Sequence, residues 1–229
     1  MAAILLVRHG QAAFEAADYD QLSARGEEQA QRLGRAWRAK GWRLQTWYSG
    51  ALQRQTATLQ HLRQAYGEVA GESIVDRRFD EFDHAQLLRA VQPCWDDVPA
   101  RQRWLAAQAQ PRQAFQRLFA SAFARWQDTR HAADYSETWP QFQQRCQAAL
   151  QAVRARSCGD VVVVTSGGVI AALVQSLLAI PDAQALALNA VLYNAGCTRL
   201  LYHAEQLSLS GFNDVGHLDG ADAGLLTYR

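Results

Sequence analysis

The 229-residue chain contains no uninterrupted apolar run of the roughly 18 residues that a bilayer-crossing helix needs, which excludes a membrane-spanning helix. It lacks a charge excess of either sign: Lys and Arg total 23, Asp and Glu 22, and the net charge is +1. Bulk nucleic-acid binding and adhesion to an anionic membrane both want a broad basic surface, so this balance argues against either partner. Cysteine is sparse and scattered. Cys94, Cys146, Cys158 and Cys197 form no C-x-x-C pair and suggest no zinc site; they read as buried or incidental thiols in a reducing compartment. No basic segment followed by a long apolar stretch opens the sequence, so the expected location is cytoplasmic. No internal repeat is present.

What the chain does have is apolar mass. Hydrophobic residues make up 49% of it, enough for a real core, and the length suits one large domain or two small ones. Ala3 to Val7 reads as a buried strand. Ser23 can cap a helix whose first turn carries Glu27 and Glu28, where the helix dipole favours acids, and Gly41 ends it. Leu44 to Tyr48 reads as a second strand, Ala51 to Tyr66 as a helix, and Ile74-Val75 as a short extended piece. Val161 to Thr165 is a buried parallel strand by its β-branched run. Gly167-Gly168 then turns the chain into a helix over Val169 to Ala179, which Pro181 stops. Ser136 to Arg156 is a long amphipathic helix. Val191 to Tyr202 and Gln206 to Phe212 read as an antiparallel edge pair, and Asn213 to Arg229 as a tail.

Between about residues 85 and 135 no strand-like run occurs. Gln, Ala, Arg and Trp dominate, with Pro93, Pro99 and Pro111 as breaks. Trp104, Phe115, Leu118, Phe119, Phe123 and Trp126 are too apolar for a solvated linker, so this stretch is expected to form helices inserted over the sheet. The expectation is therefore an α/β three-layer sandwich with a mostly parallel central sheet and a helical cap insertion, all in a single domain over 1–229.

In open α/β sheets ligands bind beyond the carboxyl ends of the strands. The first strand delivers Arg8-His9-Gly10 there. The second delivers Ser49-Gly50 and then Arg54 on the opening turns of its helix, where guanidinium and helix N-terminus can hold one anion. The third extended piece leads to Asp80-Glu81-Phe82-Asp83-His84. The fourth delivers Thr165-Ser166-Gly167-Gly168 at another helix N-terminus. A histidine that takes up a phosphoryl group needs cations on the phosphate oxygens, an acid for the leaving oxygen, and in-line placement. These four loops offer all three.

Leu6-Val7-Arg8-His9-Gly10 resembles the signature of the histidine phosphatase superfamily, the phosphoglycerate mutase-like enzymes. The resemblance continues through Leu22-Ser23-x-x-Gly26-x-x-Gln29-Ala30, Ser49-Gly50-x-Leu52-x-Arg54-x-x-x-Thr58, and Glu81. It goes on through Ser136-Glu137 with Arg145, Val161 to Ile170, and Asn213 to Leu218, and it is weakest in the middle insertion. It implies that His9 becomes phosphorylated, that Arg8 and Arg54 clamp the phosphoryl group, and that Glu81 protonates the leaving oxygen and then activates water. Gly10, Gln11, His84, Ser166 and Gly167 would contact the phosphate or the substrate. No metal and no cofactor are implied. The partner would be a small phosphorylated substrate, and a homodimer is compatible with the sequence.

Two departures stand against this pattern. The family usually places a second histidine just before the Gly-Gly turn, and here that residue is Ser166; His84 or a reshaped amide nest is the expected compensation. After the signature, where the family often has Thr and Asn, stand Ala12, Ala13 and Ala16, so phosphate contacts from that loop are fewer or come from Gln11. The residues with which mutases hold phosphoglycerate are not evident. The leading expectation is a metal-independent phosphomonoester hydrolase acting through phosphohistidine, whose activity the missing imidazole is expected to lower. The alternatives are an inactive member that binds a phosphorylated ligand, mutase-type phosphotransfer, and a serine hydrolase built on Ser166, Asp214 and His217. That last reading suffers because Val164 replaces the first glycine of a nucleophile elbow. His217 is otherwise expected to be structural, closing the pocket wall.

Overall fold

The computed structural model describes residues 2–13, 20–67, 73–204, 206–219 and 223–228. Ala16 and part of the loop after the signature lie outside these. Six strands, β1 (Ala2–Arg8), β2 (Leu44–Ser49), β3 (Ser73–Val75), β4 (Asp160–Thr165), β5 (Cys197–His203) and β6 (Gln206–Asp214), form one sheet in the order β3-β2-β4-β1-β5-β6. The first four in that order run parallel; β5 and β6 are antiparallel additions at one edge. The fold is α/β with helices on both faces, as the sequence pattern predicts. Among the described residues no helix is long and apolar enough to cross a membrane.

Alternation along the strands divides the core. Ile4 and Leu6 of β1 and Val161 and Val163 of β4 face one side, with Ala3, Leu5, Val7, Val162 and Val164 on the other. Successive strand residues point to opposite faces, and a strand buried on both reads as a continuous apolar run. The second face is covered by α1 (Ala24–Ala39) and α2 (Gln53–Tyr66), through Ala30, Leu33, Trp37, Leu59 and Leu62. The first is covered by α6 (Trp139–Arg156), α7 (Gly167–Leu178) and the middle segment.

That middle segment consists of α3 (His84–Val91), α4 (Val98–Ala106) and α5 (Pro111–Gln127), with a 3-10 turn over Pro93–Asp96 between the first two and a short bend between the last two. Its prolines mark starts rather than breaks: Pro93, Pro99 and Pro111 lie in the first turns of their elements, where a missing N–H costs nothing. An aromatic cluster ties the segment to the rest of the chain. Phe82, next to Glu81, packs against Trp126 at 5.0 Å, Phe142 at 5.6 Å and Phe123 at 5.8 Å between ring centroids.

Three boundaries differ from the sequence reading. Val191 ends a helix, α8 (Ala185–Val191), and β5 starts only at Cys197. The apolar run over 185–202 has no period that separates helix from strand. The break is made by Ala195 in the left-handed region (φ 55°), whose N–H donates to the Arg8 carbonyl at 3.0 Å. Helix α6 begins at Trp139 rather than Ser136, because Thr138 caps it in a reciprocal arrangement with Gln141. Helix α7 (Gly167–Leu178) starts at Gly167 rather than Val169 and ends ahead of Pro181 as expected, with Ala179 left-handed and the Ile180 N–H returned to the Gln175 carbonyl at 2.9 Å. The expected tail is also partly structured: Asn213 and Asp214 belong to β6, and the Thr227 carbonyl accepts from the Asn194 N–H at 2.8 Å.

Candidate active site

β1 ends beside β4, and the His9 N–H donates to the Thr165 carbonyl at 2.9 Å. That bond carries the ladder one residue beyond the strand and fixes the His9 backbone. Asn194 Nδ2 donates to the His9 carbonyl at 3.2 Å, and the Gly10 N–H donates to Thr58 Oγ1 at 3.0 Å. Gly10 lies against the backbone of Gly26 so closely that a Cβ on either residue would collide with the other segment. Two glycines facing each other are thus what lets the signature reach the start of α1.

The His9 ring is 7% exposed and held at both nitrogens. Nδ1 lies 2.8 Å from the Gly10 carbonyl oxygen, and a carbonyl only accepts, so Nδ1 carries the proton. Nε2 is therefore the lone-pair nitrogen, and Arg54 Nε donates to it at 3.2 Å. Burial, then the charge of Arg54, then that of Arg8, hold the imidazole well below its usual range, against a smaller opposite pull from the Gly10 carbonyl. The result is a neutral ring with an unprotonated Nε2.

The two arginines are almost as covered as His9, Arg8 at 7% and Arg54 at 8% exposure. Arg8 Nη1 donates to the Leu192 carbonyl, and its Nε passes 3.6 Å from where a Cβ on Gly167 would sit. Arg54 lies in the first turn of α2, and its Nη1 pairs with Asp20 Oδ1 at 2.6 Å. The other carboxylate oxygen of Asp20 accepts from the Gln53 N–H at 2.7 Å.

Glu81 docks on the start of α7. Its Oε2 accepts from the Gly168 N–H at 3.0 Å and its Oε1 from the Phe82 N–H at 3.3 Å. A Cβ on Gly168 would collide with Oε1, so glycine is the residue that admits the carboxylate. The loop carrying Glu81 is anchored one turn back. The Phe79 carbonyl accepts from Thr165 Oγ1 at 2.7 Å and from Gln55 Nε2 at 3.0 Å. Asp80 accepts from the Ala51 N–H at 2.5 Å, and burial pushes its carboxyl up against that bond.

Ser166 is fully covered, at 0% exposure, and so is Gln55. Gln55 Nε2 donates to Ser166 Oγ at 2.8 Å. The side chain that meets Ser166 Oγ is thus that of Gln55, and His84 is the exposed first residue of α3. Gln11 is half-buried; its N–H donates to Gln29 Oε1 at 2.9 Å and its own Oε1 accepts from Ser23 Oγ at 3.1 Å. His217 is largely enclosed, with no hydrogen-bond partner on Nε2 among the described residues. Burial, opposed by Asp214, holds its pKa down at about 4, with Lys40 and Arg32 adding to the depression. No group of three or more His, Cys, Asp or Glu side chains able to hold a metal ion occurs among the described residues.

The strand ends thus gather His9, Arg8, Arg54, Gly10 and Gly167, with Glu81 on the neighbouring helix start. The sequence reading did not single out Gln55, Asp20 or Asn194. For Gln55 a signal existed: a glutamine beside Arg54 on a helix face that packs inward. For Asp20 and Asn194 the sequence held none, since each acts on a partner far along the chain.

The family model described as Histidine phosphatase superfamily (branch 1) matches residues 4–113 and 101–215. No curated protein matches. Among solved structures, Bacillus stearothermophilus YhfR superposes with a TM-score of 0.68 at 18% identity, over 96% of this chain and 100% of that one. A phosphoglycerate mutase from Bacillus anthracis str. Sterne gives 0.64 at 17% identity, over 95% of each chain. A mycobacterial glucosyl-3-phosphoglycerate phosphatase, solved in complex with VO3, gives 0.58 at 23% identity, over 93% of this chain and 99% of that one. At these identities the likeness shows a shared fold.

Proposed function

The chain belongs to the histidine phosphatase superfamily, and from that premise we propose that it hydrolyses a small phosphomonoester through a phosphohistidine on His9. The observation that carries this reading is the state of the His9 ring: proton on Nδ1, lone pair on Nε2, a guanidinium N–H directed at that nitrogen, and a depressed pKa. A nucleophile must be unprotonated and aimed, and a phosphoryl group arriving at Nε2 would meet Arg54 at once.

The steps follow from the side chains. Nε2 attacks phosphorus and the bond to the ester oxygen breaks. Glu81 gives that oxygen a proton. The Glu81 carboxylate then takes a proton from water, whose oxygen attacks phosphorus as the P–N bond breaks, and inorganic phosphate leaves with His9 restored. The positive charge for this chemistry comes from Arg8 and Arg54, which suits a reaction without metal or cofactor.

A second reading, a protein that binds a phosphorylated ligand without turning it over, draws on the sealed Ser166. One preorganised donor to the phosphoryl oxygens is absent there, a loss of about 3 kcal/mol in transition-state stabilisation. Hydrolysis of p-nitrophenyl phosphate by wild type and His9→Ala separates the two. The hydrolase reading expects turnover that His9→Ala abolishes and an acid-labile phosphoprotein after rapid quench. Turnover surviving in His9→Ala overturns the mechanism, and ligand binding without turnover in wild type supports the second reading. A mutase would instead return the phosphoryl group to an added alcohol acceptor.

A further inference from the structure

Resting on the reading of His9 as nucleophile, we propose that Asp20 is a positioning residue that holds Arg54 with one edge of its guanidinium turned to Nε2 of His9. The geometry is a short relay. Asp20 Oδ1 pairs with Arg54 Nη1 at 2.6 Å, Arg54 Nε reaches His9 Nε2 at 3.2 Å, and Asp20 Oδ2 is fixed by the Gln53 N–H at 2.7 Å.

Guanidinium is planar and rigid. Its Nε–H and one Nη2–H lie along a common edge, and Nη1 is the remaining corner. Asp20 takes Nη1, while the Nε–H reaches His9 Nε2, beside which the oxygens of a transferred phosphoryl group would lie and where guanidinium N–H donors bind an oxyanion well. Had the carboxylate sat across the Nε/Nη2 edge, it would have occupied the place of the phosphate.

Asp20 is itself well anchored. The two arms of the loop that brings it pair at Ala12 and Leu22, the Ala13 N–H donates to the Gln21 carbonyl at 2.8 Å, and the Ser23 N–H donates to the Gln11 carbonyl at 2.9 Å. The pair is also shielded, with side-chain exposures of 9% for Arg54 and 24% for Asp20. Asp20 thus serves the site through Arg54.

The test compares wild type, Asp20→Ala, Asp20→Asn, Arg54→Ala and Asp20→Ala/Arg54→Ala in p-nitrophenyl phosphate turnover and in orthovanadate binding by calorimetry. Misaiming the guanidinium is expected to lower kcat/KM and vanadate affinity about tenfold in Asp20→Ala. Asp20→Asn, which keeps an oxygen for Gln53, is expected to fall between, and it carries the test if Asp20→Ala does not fold. On the Arg54→Ala background the same change is expected to cost less than about twofold, a coupling that a merely structural role would not produce. Unchanged or faster turnover, or tighter vanadate binding, in Asp20→Ala overturns the proposal; tighter binding identifies Asp20 as a competitor of phosphate. A loss undiminished on the Arg54→Ala background also overturns it. If wild type shows no His9-dependent turnover, the hydrolase reading fails, and vanadate binding by the five proteins still decides the role of Asp20. A wild type that binds no vanadate either overturns both.

Discussion

Gln55 Nε2 donates to Ser166 Oγ at 2.8 Å, with both side chains fully covered. Gln55 also holds the Phe79 carbonyl at 3.0 Å and accepts from the Leu52 N–H at 3.3 Å, so its amide joins the starts of α2 and α7 to the acid loop. The residue before the Gly-Gly turn and the residue after Arg54 form one packed unit.

This unit predicts how Ser166 responds to substitution. Ser166→His alone forces a ring into filled space and should destabilise the fold by about 1–3 kcal/mol. Gln55→Ala alone removes two buried hydrogen bonds and a partly buried third and should cost about 2–4 kcal/mol. In the double variant the imidazole takes the vacated volume, and the combined loss should be smaller than the sum of the single losses. Urea denaturation of the four proteins checks this, and additive losses would show that the two side chains do not share a space.

The depressed His9 pKa has a kinetic consequence. The ring stays neutral well below pH 6.5, so the acid limb of kcat/KM should lie below that value, once the ionisation of the substrate itself is allowed for. Arg54→Ala removes the larger of the two charges that depress it. The limb should then move to higher pH while the rate falls by about a hundredfold. A pH–rate profile of both proteins measures this, and an acid limb near 7 in wild type would contradict the neutral, buried ring.

Much of the fold and of the candidate site was legible because it is written in contiguous residues. The runs Leu5-Leu6-Val7 and Val161 to Val164 announce strands buried on both faces, and each runs directly into the loop it presents. Ser23 announces α1 because its hydroxyl meets the Gly26 N–H only three residues on, at 3.1 Å. What was illegible depends on partners far apart in the chain. Asp20 meets Arg54 through a loop whose path the sequence does not set, and Gln55 meets Ser166 across 111 positions. Val191 reads as the start of a strand for a different reason, since the apolar residues on either side of it carry no period that separates helix from strand. Only the turn at Ala195, set by its bond to the Arg8 carbonyl, divides helix from strand.

His217 makes stability depend on pH. Its folded-state pKa is about 4 and its ordinary value 6.5, with Asp214 opposing the depression and Lys40 and Arg32 adding to it. Between those values the unfolded chain takes up a proton that the folded chain refuses. Stability is therefore complete above pH 6.5 and falls as the pH drops towards 4, by about 3 kcal/mol in all. His9, depressed likewise, acts with the same sign as the pH falls below 6.5. His217→Gln should flatten the curve: urea midpoints at pH 7.5 and 5 should differ less in the variant than in wild type. Equal differences would place His217 in contact with water.

Arg145 should matter to catalysis from outside the site. Its Nε and Nη2 hold both oxygens of Glu137 at 2.6 and 2.8 Å, and its Nη1 donates to the carbonyls of Arg78 at 2.8 Å and Asp80 at 3.0 Å. Those carbonyls belong to the loop that ends in Glu81, so one guanidinium fixes that loop to α6. Arg145→Met keeps an unbranched side chain but loses the guanidinium that lies 4.9 Å from the Phe142 ring centroid, and it leaves two carbonyls and a carboxylate without their donor. The pair is only partly exposed, 22% and 31%, so the cost should be about 2 kcal/mol rather than that of a fully buried pair. Because Glu81, the proposed proton donor, loses its anchor while the arginines around His9 stay in place, kcat should fall about tenfold and KM should hardly change. Glu137→Gln keeps an acceptor for the guanidinium and should do less on both counts. Steady-state kinetics beside thermal melts separates the two effects: a rise in KM at constant kcat would mean that Arg145 shapes the pocket and not the acid.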